Sequence, residues 1–159
     1  MSKILDLSWN KERDTVCVKV PSEQVKLTKQ GILVKLAIIY DPLGLISPKT
    51  LCGKLIYRSV CNKKRAWDTE LSRDMVKAWL KWEGSLPQSF EVPRLLALHW
   101  EEIEGVKLHS FGDASANGVA ACVYAVIHQA ARINQGLIAL RSRLSKQGLT
   151  ILQLDLVAI

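Results

Sequence analysis

Apolar positions change period along this chain, and the changes divide it. Leu5-Asp-Leu-Ser-Trp9 alternates, Thr15-Val-Cys-Val-Lys-Val20 is β-branched, and Asn10-Lys-Glu-Arg-Asp14 between them is turn-like, which predicts a β-hairpin. Pro21 ends it. The pattern then becomes helical, with Thr28 as N-cap and Ile32, Leu33, Leu36 and Ile39 on the apolar face of a helix reaching Tyr40. Asp41-Pro42 stops that helix, because proline disfavours helical geometry in the residue before it. Leu43-Gly44 makes a turn. Ser47 as cap and Pro48 in the first helical turn start a second helix to about Asn62, with Leu51, Cys52, Leu55, Ile56 and Ser59 on one face. A third helix is predicted from Trp67 to about Trp82, its stripe made of Trp67, Leu71, Met75, Ala78, Trp79 and Trp82. Such a stripe reads as core rather than as a base-stacking surface. Residues 88–106 read as a connector with some strand character at Phe90 and Val92, interrupted by Pro93 and ending in an acidic loop, Glu101-Glu-Ile-Glu-Gly105.

Beyond the connector the period returns to two. Leu108 to Gly112 is β-compatible, Asp113-Ala-Ser-Ala-Asn-Gly118 is rich in turn formers, and Val119 to Ile127 is an almost unbroken apolar run, as expected of a strand buried on both faces. After a loop through 128–136, Leu137-Ile-Ala-Leu-Arg-Ser-Arg143 is a third strand with basic residues at its end. Short connections favour an antiparallel meander. Thr150 with Gln153 makes a capping box for a final helix. The predicted class is α+β: an N-terminal β-hairpin (1–20), a helical region (21–105), and a three-stranded meander plus one helix (106–159). Asp113 falls where a strand opens into a loop. It is either a turn former bonding its own backbone or a metal ligand held by a rigid sheet.

The net charge of +7 is uneven: Lys/Arg against Asp/Glu runs 13 to 5 in residues 1–65, 4 to 8 in 66–105 and 5 to 2 in 106–159. A basic first third suits either a phosphate backbone or a solvated helical surface. Cys17, Cys52, Cys61 and Cys122 lack metal-site spacing and lie in or beside apolar runs, which predicts buried free thiols in a reducing compartment. The three histidines are isolated. No apolar run reaches the roughly 18 residues of a membrane span, and Met-Ser-Lys-Ile-Leu-Asp-Leu is not a signal peptide, so no membrane partner and an intracellular location, a cytoplasmic particle or the nucleus, are expected.

Several stretches, in order, resemble the polyproteins of BEL/Pao-type long-terminal-repeat retroelements. Tyr40-Asp-Pro-Leu-Gly-Leu-Ile-Ser-Pro48 is similar to the signature downstream of their reverse transcriptase palm. Val92-Pro-Arg94, Arg141-Ser-Arg143 (for Lys-Ser-Arg) and Thr150-Ile-Leu-Gln-Leu-Asp-Leu-Val-Ala158 (for Thr-Ile-Pro-Arg-Leu-Glu-Leu-Leu-Ala) follow in family order, and Asp113-Ala-Ser resembles the end of the first ribonuclease H strand. The resemblance implies a palm-like terminal hairpin, a thumb or connection region over 21–105, and the opening part of a ribonuclease H-like domain. Its partners would be an RNA–DNA hybrid or DNA and the rest of the Pol polyprotein. Lys26, Lys29, Lys35, Lys49 and Lys54 would face nucleic acid, joined by Arg141 and Arg143.

Catalytic and metal-holding roles fall on Asp113 and on Asp155, where the family has glutamate. Their cofactor is Mg2+ or Mn2+, held in pairs by converging carboxylates in this chemistry. Aspartate is one methylene shorter, and the family's later acids have no counterpart before Ile159. Little or no nuclease activity is therefore expected of this chain alone, with weak metal binding. No Asp-Asp pair occurs, so no polymerase chemistry is expected. A non-catalytic nucleic-acid-binding module and a decayed retroelement copy are the alternatives. The same segment of these elements also carries a Pao peptidase name. Aspartic peptidase chemistry, however, needs two aspartates in Asp-Thr/Ser-Gly context, which Asp113-Ala-Ser does not supply.

Overall fold

Period-two sequence at both ends of the chain forms two antiparallel sheets, with helices between them. The computed structural model describes residues 2–4, 7–97, 100–151 and 153–154. Strands β1 (Ser2–Ile4), β2 (Leu7–Asn10) and β3 (Thr15–Lys19) form the predicted hairpin with one extra strand before it. Helices α1 (Lys29–Ala37), α2 (Ser47–Asn62) and α3 (Arg73–Glu83) follow, and then β4 (Ser89–Pro93), β5 (Ile103–Ala114), β6 (Gly118–Gln129) and β7 (Arg132–Leu144). The class is α+β, and β5-β6-β7 is the expected antiparallel meander.

Local signals account for most element starts. Thr28 caps α1, its hydroxyl accepting from the Gly31 amide at 3.1 Å. The Thr150 and Gln153 side chains and amides close a capping box, and Leu154 beyond it is buried against Val119 and Ala114. Ser47 departs from expectation. It is the first residue of α2 rather than its cap. The Asp41 carboxylate takes the amides of Leu45 and Ile46, both at 2.9 Å, and so fixes the turn that leads into the helix, whose own first turn has no side-chain cap.

Three differences from the sequence expectation have tertiary causes. The third helix starts at Arg73, not Trp67, because 67–71 pairs with the entry to α1: Leu71 N bonds Leu27 O at 2.9 Å and Gln30 N bonds Trp67 O at 3.3 Å. Trp67 is exposed, whereas Trp79 and Trp82 are buried with Ile32 and Val60 in the helical core. The connector contributes a true strand: β4 pairs with β3 from Thr15↔Pro93 to Lys19↔Ser89, with Pro93 at its end, where proline costs no ladder bond. The acidic stretch is partly strand, since β5 begins at Ile103, and the loop of 128–136 shrinks to Ala130-Ala131 because β6 and β7 pair out to Gln129↔Arg132. The cysteines are free, as expected, but Cys52 is exposed and the others half-buried.

One turn ties these parts together. Leu43 and Leu45 pack on the core of the first sheet, around Leu7, Val16 and Val18. The Leu43 carbonyl accepts from Leu140 N of β7 at 2.9 Å. The Ser47 and Ser142 hydroxyls lie 2.6 Å apart, and Ser142 Oγ also donates to Ser47 O at 3.0 Å. Gly44 has φ of +79°, and a Cβ there would sit 1.7 Å from the Leu140 carbonyl oxygen. Gly44→Ala is expected to destabilise the fold by at least about 2 kcal/mol, from left-handed strain plus separation of the joint. A lowered urea midpoint would register this, and an unchanged midpoint would mean the turn does not hold the sheet.

Candidate nucleic-acid interface and metal position

Strand β5 carries Asp113 near its end, opposite Ala120 of β6. The turn beyond it is made by Ser115, not by Asp113: Ser115 Oγ accepts from the amides of Asn117 and Gly118 at 3.3 and 3.2 Å, and Ser115 N bonds Gly118 O at 2.8 Å. Asp113 is exposed, and so is nearly all of β5. The carboxylate therefore sits on an open edge strand rather than a buried one. Strand β6 is buried at Gly118 and Val119, half-buried over 120–123, exposed at Tyr124 and alternating from Ala125 to Gln129, so it is not covered on both faces as its apolar run suggested.

Strand alternation sorts the remaining candidates. Asp113, Ala120 and Ser142 share one face, the one on which α2 lies through Ser47. Ala114, Val119 and Arg143 share the other, where Leu154 packs, and Arg141 belongs with them. Arg141 and Arg143 are both exposed, on the face away from Asp113. Asp155 lies outside the described residues.

The five lysines are in four different situations. Lys26 and Lys49 are exposed and Lys54 is half-buried. Lys29 is half-buried, its ammonium donating to Arg65 O at 2.8 Å and lying 5.6 Å from the Trp67 ring centroid. Lys35, expected to face nucleic acid, is corrected: it is only 1% exposed. Its Nζ donates to the carbonyls of Pro21 and Glu23 at 2.8 and 2.7 Å and pairs with Glu83 at 3.2 Å. A buried ammonium is tolerable only when so satisfied. The apolar-face analysis of α1 missed this, because the carbonyls that hold Lys35 precede the helix and Glu83 follows it by two elements.

Arg58, which the sequence reading passed over, lies on the same helix as Lys49 and Lys54. Leu51, Lys54 and Arg58 stand at i, i+3 and i+7 on α2. Leu51 abuts Gly118, where an added Cβ would lie 2.8 Å from its side chain, and Arg58 Nη1 donates to Ser145 O at 3.1 Å. Arg58 is thus held beside the end of the sheet where β5 turns into β6, since Ser145 also bonds Ala116 and Asn117 there. The i, i+7 spacing from Leu51 was the available signal.

Magnesium needs several converging oxygen ligands. Among the described residues no group of three His, Cys, Asp or Glu side chains could hold a metal ion, so the described part of the site does not by itself fit the cation. No helix among them is long and apolar enough to cross a membrane.

An antiparallel meander with Asp113 one residue before the end of its first strand, and a capped helix start packed on it, is the arrangement expected of a ribonuclease H-like protein. The family model described as Pao retrotransposon-like RNaseH-like domain matches residues 28–159, and the chain belongs to that family. It is thus a retrotransposon Pol-derived, nucleic-acid-related domain. No curated protein and no solved structure matches it.

The buried position of Lys35 has a measurable consequence. Lys35→Ala should cost about 3 kcal/mol, by leaving Glu83 and two carbonyls without their cation. Lys26→Ala and Lys49→Ala should each stay within about 0.5 kcal/mol. Chemical denaturation of the three variants separates the cases, and a harmless Lys35→Ala would return that lysine to the surface group.

Proposed function

We propose that this chain is the part of a Pao-type Pol polyprotein that grips an RNA–DNA hybrid, through a thumb- or connection-like region at 21–105, and presents it to a ribonuclease H-like sheet at 106–159. The observation that carries this reading is the seating of α2 across the sheet on the face of Asp113, with Lys54 and Arg58 on the seated stripe. Lysine contacts to phosphate are sequence-independent and salt-sensitive, as a grip on a polymerase product must be. The exposed Lys26 and Lys49 extend the basic surface, while Arg141 and Arg143 offer a second one on the opposite face.

RNase H-like domains generally use divalent metals, and Asp113 and Asp155 are the residues of this chain proposed to hold Mg2+ or Mn2+. Two carboxylates bind such an ion weakly, so the 159-residue chain binds hybrid but cuts it little. No catalytic step is derived through the metal.

Fluorescence anisotropy with a labelled RNA–DNA hybrid tests the reading. Binding should weaken with salt with a log–log slope of about −3, corresponding to roughly three or four phosphate contacts, and Lys49→Glu with Lys54→Glu should lower affinity at least about fivefold. Hybrid that does not bind, or that binds without regard to salt and to these charges, removes the proposed grip. Strong cutting in Mg2+ or Mn2+ that disappears in Asp113→Asn would instead establish a competent nuclease.

A further inference from the structure

The two edges of the meander are treated differently. At the outer edge of β7 the Leu43 carbonyl takes Leu140 N at 2.9 Å, and the Gly44 backbone passes close to the Leu140 carbonyl. The other edge is β5, whose one strand partner among the described residues is β6. Every residue of β5 from Val106 to Asp113 is exposed. Such an edge presents a row of amides and carbonyls to any strand that can pair with it, unless a bulge, a charge or a covering segment blunts it. The bulge in β5 lies at one end, between Ile103 and Gly105, and the Ser115 turn closes the other. Between them, from Gly105 to Ala114, the strand keeps unbroken register with β6. That run carries one lysine, Lys107, and one acid, Asp113, and neither has an ion pair among the described residues.

We infer that β5 pairs antiparallel with β5 of a second copy of this chain, joining two three-stranded meanders into one continuous sheet. The strand is self-complementary in that arrangement. A twofold axis normal to the sheet keeps like faces together, so residues directly opposite one another must share a face. Lys107, His109, Phe111 and Asp113 share one face, and Val106, Leu108, Gly112 and Ala114 share the other. With the axis at Ser110, Lys107 stands opposite the partner's Asp113, and Asp113 opposite the partner's Lys107. Phe111, whose ring meets Tyr124 edge-on at 6.3 Å, faces the partner's His109. On the other face Leu108, 66% exposed, falls opposite the partner's Gly112, and Val106, 54% exposed, opposite the partner's Ala114. Each bulky aliphatic side chain thus meets a small residue, and each charge meets its opposite. Moving the axis to His109 would set two histidines against each other and leave Asp113 facing the partner's Gly105. Moving it to Leu108 would set Lys107 against the partner's His109. Opposite charges across a ladder stabilise it and like charges destabilise it, which selects the axis at Ser110. The pairing uses no residue of the α2 surface. It does engage the Asp113 carboxylate, so the paired form would not offer that group to a cation.

Sedimentation velocity of the full 159-residue chain, with neither nucleic acid nor divalent metal present, tests the inference. The wild-type chain should form a dimer that dissociates on dilution. Lys107→Glu makes both charges of the strand acidic, and Asp113→Lys makes both basic. By the twofold symmetry each single change replaces two ion pairs with two repulsions, so either variant alone should associate at least about tenfold more weakly. An equimolar mixture of the two variants should recover a dimer with one copy of each, a rescue that a damaged fold would not give. A wild-type chain that sediments as a monomer, a dimer that survives both single changes, or a mixture in which the two variants stay apart overturns the inference. The measurement involves no hybrid, so failure of the grip proposed for α2 would leave its outcome unchanged.

Discussion

The contact between the Asp41-to-Ser47 turn and strand β7 is the constraint on which the arrangement of parts depends. Within seven residues the chain sends Leu43 and Leu45 into the core of the first sheet, gives the Leu43 carbonyl to Leu140, and sets Ser47 against Ser142. The turn can do all three only because Asp41 holds the Leu45 and Ile46 amides just before α2 and Gly44 accepts a positive φ with no side chain to strike the β7 backbone. It also occupies part of one edge of the meander, and edges left unpaired invite other strands. The stretches at 40–48 and 141–143 are thus two halves of one joint, although almost a hundred residues separate them.

The same joint bears on which charges stay at the surface. Seating α2 on the sheet brings the Arg58 guanidinium to the Ser145 carbonyl, and the Pro21 and Glu23 carbonyls with the Glu83 carboxylate hold Lys35 inside. The count of 22 lysines and arginines overstates the free cations, since Lys35 is consumed by Glu83 and two carbonyls and Arg94 by Asp14. Burying an ammonium is costly without partners, so its position reports on packing rather than on ligand binding.

Strand β5 shows the other side of this economy of contacts. Ile103, Val106, Leu108 and Phe111 are all at least half exposed, on a strand whose one described strand partner is β6. Apolar residues along an open edge are a surface that seeks cover. Asp113 shares that open setting, which makes its carboxylate accessible but leaves its orientation to the strand alone.

The sequence by itself determined whatever depends on neighbours within a turn or two. Thr28 and the Thr150–Gln153 pair mark helix starts, and period-two runs place the hairpin and the three-stranded meander, whereas α1 ends at Ala37, before the stop expected at Asp41-Pro42. The Trp79 and Trp82 spacing finds the core face of α3. Of the site, the strand position of Asp113 and the exposure of Lys26 and Lys49 were legible in the same way. Tertiary structure alone decided that β4 joins β3, that residues 67–71 leave the helix to pair with the entry to α1, that Ser47 lies against Ser142, and that Lys35 is interior. Each of these turns on which distant backbone groups arrive beside the residue, and a short window of sequence holds propensity and period but not the identity of those arrivals.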